Sequence, residues 1–130
     1  MPNKKFDFTI CSLGKALYVI CGKDSVSEVT DTCERYSIEE DAWTSICSVN
    51  IKRYAASACG FRGDRIFLFG GRFHFLFSIS FPRSETNNLM VSEIEQYSVC
   101  ANTWTIFNII TGQSLWNPVE VCACLQINHD

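Results

Sequence analysis

The sequence predicts an all-β fold: two four-stranded antiparallel units and an extra strand. One order of strand, glycine turn, strand and tryptophan occurs twice along the chain. The second strand of each copy, Leu17-Tyr18-Val19-Ile20 and Ile66-Phe67-Leu68-Phe69, is apolar at every position, as in a strand covered on both faces. No segment carries helical periodicity in competition with these strands. At 130 residues the chain holds one ordinary core. An apolar fraction of 47% with ten phenylalanines points to a globular unit, not a disordered one.

The predicted strands of the first copy span about residues 6–12, 16–21, 31–37 and 42–46. Those of the second span 55–61, 65–69, 91–98 and 103–107. Gly14 and Gly63 stand in the tight turns before the apolar strands. Gly22, Gly70 and Gly71 follow those strands, where a positive φ lets the chain leave at little steric cost. The two glycine turns match at an offset of 49. Further on, Glu34-Arg35-Tyr36-Ser37 through Trp43-Thr44 matches Glu95-Gln96-Tyr97-Ser98 through Trp104-Thr105 at an offset of 61, so 12 residues are inserted in the second copy. Five of the eleven positions from Glu34 to Thr44 are identical between the copies. Tyr36, Trp43, Tyr97 and Trp104 are expected to pack as core aromatics, with hydroxyl and indole N–H reaching partners near the edge. A third copy begins at Val121-Cys122-Ala123-Cys124-Leu125, which resembles Ala56 to Gly60, and the first strand of a third unit is expected over 118–127.

An apolar strand ending in a glycine pair, a Glu-x-Tyr on the next strand, a Trp seven residues after the Tyr and Arg53 before the following strand together resemble the kelch repeat, a unit of about 50 residues. Three departures are visible: Cys21 replaces the first glycine of the pair, the Asp-Pro after the tyrosine is missing, and Pro118 stands in the place of the third arginine. The resemblance implies a partial kelch-type β-propeller, with blade 1 over 6–46, blade 2 over 53–107 with its insertion near 72–87, and the start of a blade 3. A propeller normally closes with 4 to 8 blades, so the chain is expected to be a piece of a larger ring or to associate through its open blade edges.

Eleven basic and fourteen acidic residues give a net charge of −3 without charge runs, which argues against nucleic-acid or anionic-membrane partners. No apolar run approaches the ~20 residues of a membrane helix. The eight cysteines fall mostly in or beside strands and no export signal precedes them. They read as reduced, buried thiols of an intracellular, cytoplasmic protein. Cys122-x-Cys124 has no second Cys or His pair at zinc spacing, so no metal or cofactor is expected. His74 and His129 lie far from any nucleophile or carboxylate in a recognisable arrangement, and no enzymatic activity is expected.

Loops between second and third strands and between blades share one face of the disk in antiparallel connectivity, and binding residues concentrate on loops. That face is assigned to about 22–30, 47–54, 71–90 and 108–118. Its candidate contacts are Asn50, Lys52, Arg53, Arg72, Arg83, Glu85 and Asn87, with Arg53 equally suited to a structural ion pair at the strand entrance. The insertion Phe73 to Phe81 alternates apolar and polar residues as a strand does, which suits an extra strand packed over a blade edge, the alternative being an apolar docking surface with Phe75 as its candidate contact. The resemblance implies a protein-binding module with a protein partner: a scaffold, a cytoskeletal binder or a substrate-recruiting part of a ubiquitin ligase. The alternative it leaves is a fragment of a propeller enzyme, such as an oxidase, whose catalytic residues lie elsewhere.

Overall fold

The computed structural model describes residues 4–73 and 89–107. The strand expected over 118–127 and most of the Phe-rich insertion lie outside the described residues. Blade 1 is an antiparallel sheet of β1 (Thr9–Leu13), β2 (Ala16–Lys23), β3 (Val29–Ser37) and β4 (Ala42–Ile46), in that spatial order. Blade 2 comprises β5 (Ser57–Phe61), β6 (Arg65–Phe69), β9 (Ile94–Ser98) and β10 (Thr103–Phe107), ordered β10-β9-β6-β5. Between β6 and β9, the short strands β7 (Arg72–Phe73) and β8 (Leu89–Met90) pair with each other at the base of the insertion. The all-β prediction of two four-stranded antiparallel blades therefore holds, with boundaries shifted by a few residues.

The largest shifts are at β1, which starts at Thr9 and not at residue 6, and at β9, which starts at Ile94 and not at residue 91. Asp7 has φ 54°, and its counterpart Ala55 in the second copy has φ 56°, so the chain turns there before entering either first strand. Ahead of that turn, Phe6 bridges Lys23 and Tyr54 bridges Arg72, each pinning the entering chain to the exit of the second strand. Gly22 and Gly71 make these crossings feasible. A Cβ on Gly22 would lie 2.9 Å from Phe6 O and Phe8 Cα, and one on Gly71 would lie 2.9 Å from Ala56 Cβ. Cys21, standing where the family pattern has glycine, is the bulged residue of β2; it takes φ 57°, a left-handed conformation that costs a side-chain-bearing residue energy.

The turns explain the repeat offsets. β1 and β2 join through the two-residue turn Gly14-Lys15, whereas β5 and β6 join through three residues, Arg62-Gly63-Asp64. The additional residue raises the offset between copies from 48 on the first strands to 49 on the second. The turns from third to fourth strand are alike in both blades: four residues, a serine hydroxyl (Ser37 or Ser98) accepting the N–H of Glu40 or Ala101, and a left-handed Asp41 or Asn102.

The core lies between the blades. Cys11, Tyr18, Ile20 and Cys33 on the back of blade 1 meet Ile66, Leu68, Tyr97 and Trp104 on the front of blade 2. Alternation along the central strands produces this division: Tyr18 and Ile20 point one way along β2, and Leu17 and Val19 the other. Ile66 and Leu68 are fully buried, and each contributes on the order of 1.5–3 kcal/mol by leaving water. Gly60 permits the close approach of β5 to β1, since a Cβ there would lie 2.5 Å from Leu13 Cδ1.

Candidate functional site

The segment 47–56 carries the chain from blade 1 to blade 2 past the ends of β2 and β6. Gly22 donates its N–H to Arg53 O at 3.0 Å, and Tyr54 exchanges backbone hydrogen bonds with Arg72. Lys23 Nζ lies 4.3 Å over the Tyr54 ring. The linker thus runs on the same face as the exits of both apolar strands, as antiparallel connectivity requires.

An ion pair holds this linker in place. Arg53 and Glu95 are both 0% exposed, with Arg53 Nη2 donating to Glu95 Oε2 at 2.9 Å. Arg53 Nη1 donates to the carbonyls of Gly70 and Glu93, and its Nε to that of Ile51. Glu95 Oε1 accepts from the backbone N–H and side-chain amide of Asn50, and its Oε2 also accepts from Ile51 N–H. Burial pushes the Arg53 guanidinium below its ordinary value, and the Glu95 carboxylate opposes that shift. A buried charge is tolerated only with such pairing, so Arg53 is removed from the candidate contact surface and takes the structural role that the sequence left open.

The other expected contacts divide three ways. Lys52 and Arg72 are exposed on the linker face. Asn50 is exposed as a residue, but its amide is turned inward to Glu95 and to Trp104 O at 3.2 Å. Phe75, Arg83, Glu85 and Asn87 lie outside the described residues.

Sequence reasoning missed the equivalent pair in blade 1. Lys5, 48 residues before Arg53, places Nζ 2.9 Å from Glu34 Oε1, both side chains being 2% exposed, and also donates to Thr32 O. Glu34 and Glu95 were visible as the first residue of each Glu-x-Tyr. The signal for Lys5 was the offset of 48 that the first strands share.

The aromatic motif residues differ between blades. Tyr97 and Trp104 are 3% and 7% exposed, as expected of core aromatics. Their counterparts Tyr36 and Trp43 are only half-buried. In both blades the two rings are cross-strand neighbours, 5.0–5.1 Å apart. Tyr97 Oη donates to Asn102 Oδ1 at 2.7 Å, while Tyr36 Oη donates to Asp41 Oδ1. Burial pushes the Tyr97 hydroxyl up to about 12. The Tyr36 hydroxyl is also raised, chiefly by its hydrogen bond to Asp41.

Between the blades, one residue is gripped at both of its backbone groups. Cys47 donates its N–H to Asn102 Oδ1 at 3.0 Å and accepts at its carbonyl from Trp104 Nε1 at 2.9 Å. Cys11, Cys21, Cys33 and Cys59 are buried, Cys47 is half-buried and Cys100 is exposed. The Cys33 thiol is pushed well above its ordinary value by its hydrogen bond with Cys21 and by burial. Cys122 and Cys124 lie outside the described residues. No helix among those residues is long and apolar enough to cross a membrane.

No curated protein matches this chain in sequence. Residues 5–46, the whole of blade 1 with Lys5, match the family model described as Kelch motif. Kelch repeats generally mediate protein–protein interactions. The matched blade is followed by a second that repeats its turn from third to fourth strand, its buried ion pair and its tyrosine–tryptophan pair. Residues 5–46 therefore carry a kelch motif.

Proposed function

We propose that this chain acts by binding another protein and not by catalysis, serving as a scaffold or substrate-recruiting part of an intracellular assembly, for which a ubiquitin ligase and a cytoskeletal complex are the two settings. The observation that carries this reading is the linker face. Its backbone is fixed from within by Arg53 and Glu95, while Lys52 and Arg72 stand exposed on the same side. A preorganised loop surface loses little entropy when a partner docks, which favours affinity per unit of contact. Two outward cations on this face suit an acidic segment of the partner.

The test is affinity capture with crosslinking, comparing the natural chain with Lys52→Glu/Arg72→Glu. The charge reversal lies at exposed positions, and cooperative unfolding of the double variant is expected to match that of the natural chain. A specific protein captured by the natural chain and lost from the double variant supports the reading. Capture of the same proteins by both, or of no specific protein by either, overturns it.

A further inference from the structure

We propose that Cys21 and Cys33 form an oxidative modification site, a dithiol that a hydroperoxide converts to an intrachain disulfide. The inference is independent of the binding reading above.

Backbone geometry brings the two thiols together. Ile20 and Cys33 are cross-strand partners on β2 and β3, so their side chains share a face. Alternation along β2 would send Cys21 to the opposite face. The bulge between Ile20 and Gly22 and the left-handed φ of 57° at Cys21 undo that alternation. Ile20, Cys21 and Cys33 all enter the one core cluster, none of them more than 1% exposed. Glycine takes a left-handed conformation without steric cost, whereas a cysteine is held there against one. What the cysteine adds at this position is a thiol hydrogen-bonded with the thiol of Cys33. Cys11 and Cys47 pack in the same core, and their thiols donate to the carbonyls of Ser12 and Ser48.

The charges around the pair divide the roles. Arg53 lies close enough to Cys21 for their charges to interact, and a cation beside a thiol favours the thiolate, the form that attacks an oxidant. Cys33 keeps its proton, because burial and the hydrogen bond with Cys21 push its thiol well above the ordinary value. Cys21 is therefore the sulfur that attacks hydrogen peroxide. Its electron pair forms an S–O bond as the O–O bond breaks, and the departing hydroxide takes the Cys21 proton and leaves as water. The Cys33 sulfur then attacks the sulfur of the resulting sulfenic acid. The S–S bond forms, the S–O bond breaks, and the second hydroxide takes the Cys33 proton and leaves as water. The dithiol loses two electrons and two protons, and the peroxide is reduced to two waters. Access is through the linker, which closes over the pair. Val49, in the same core, donates its N–H to Asp31 O, and Gly22, next to Cys21, donates to Arg53 O. Local opening of that segment admits hydrogen peroxide, a molecule of two heavy atoms, more readily than a bulky alkylating reagent.

The test treats the reduced full chain with hydrogen peroxide in the absence of denaturant. Remaining thiols are alkylated after unfolding, and every cysteine is mapped by mass spectrometry. The expected product is a peptide pair joined through Cys21 and Cys33, lighter by two hydrogens, as the dominant disulfide of Cys33, and dithiothreitol reopens it. Tryptophan fluorescence that stays native throughout the treatment identifies the folded chain as the reactant. In Cys33→Ala, oxidation is expected to stop at a Cys21 sulfenic acid that dimedone traps. In Cys21→Gly, which suits the left-handed position, Cys33 is expected to stay a thiol under the same treatment. Cooperative unfolding of each variant checks its fold, and Cys33→Ser replaces Cys33→Ala if that variant fails to fold. The proposal is overturned if Cys21 and Cys33 both remain thiols when exposed Cys100 has been oxidised. Joining of Cys33 to another cysteine, or a Cys21–Cys33 bond that forms only in denaturant, overturns it equally.

Discussion

Glu95→Gln removes a charge while keeping the shape of the side chain, and so isolates the ion pair that fixes the linker. In the native chain the carboxylate receives four hydrogen bonds, from Asn50 N and Nδ2, Ile51 N and Arg53 Nη2. The amide retains an oxygen for some of these donors but leaves the Arg53 guanidinium, 0% exposed, without a counter-charge. Breaking a buried pair from one side costs about 3–5 kcal/mol. That is a large share of the 5–15 kcal/mol typical of a whole domain. With a urea dependence of roughly 1–2 kcal/mol per molar, the unfolding midpoint drops by roughly 1.5–5 M. The assay is urea unfolding followed by tryptophan fluorescence, with the exposed Lys15–Glu39 pair as an internal standard. Glu39→Gln is expected to cost no more than about 1 kcal/mol, as exposed pairs do. The double variant Arg53→Met/Glu95→Met should recover part of the loss, because an apolar pair leaves no buried charge. Recovery stays incomplete, since Arg53 Nη1 also serves the carbonyls of Gly70 and Glu93. A cost for Glu95→Gln no greater than that for Glu39→Gln would refute the assignment of a structural ion pair.

Three further outcomes follow from the described contacts. Trp104→Ala is expected to cost about 3–5 kcal/mol as a buried aromatic, and Trp43→Ala less than half of that in the monomer; equal losses in chemical denaturation would contradict the half-buried setting of Trp43. Tyr97, neutral in its acid form and raised to about 12 by burial, stabilises the fold fully below the ordinary tyrosine value of about 10. That contribution is lost as pH rises through about 12, so alkaline unfolding curves should flatten over this window in Tyr97→Phe. Among the described thiols, labelling of the native protein, mapped by mass spectrometry, should modify exposed Cys100 first and leave Cys21, Cys33 and Cys59 protected until unfolding; early labelling of Cys33 would contradict its burial.

The blades were legible because their determinants are local. Glycine turns, apolar central strands and the tyrosine–tryptophan spacing each act within one hairpin, and their recurrence fixed the pairing of neighbouring strands. The cross-strand partners Tyr36 with Trp43 and Tyr97 with Trp104 follow from that register alone. The candidate site was less legible. Lys52 and Arg72 are exposed on the linker face, whereas Arg53 was one arginine with two readings, and only the position of Glu95, 42 residues away, decided between them.

What the sequence determined by itself was the all-β class, the two blades, their turns and the place of the insertion, since hydrogen-bonding partners within a sheet lie close along the chain and side-chain alternation assigns each face. The tertiary structure decided which side of each blade meets its neighbour. It set the grip of Asn102 and Trp104 on Cys47 across 55 and 57 residues, and the burial of Lys5 and Arg53 against their glutamates. Those contacts depend on how two sheets stack, and a stacking geometry is set by the shapes of both faces together, which no single stretch of sequence contains.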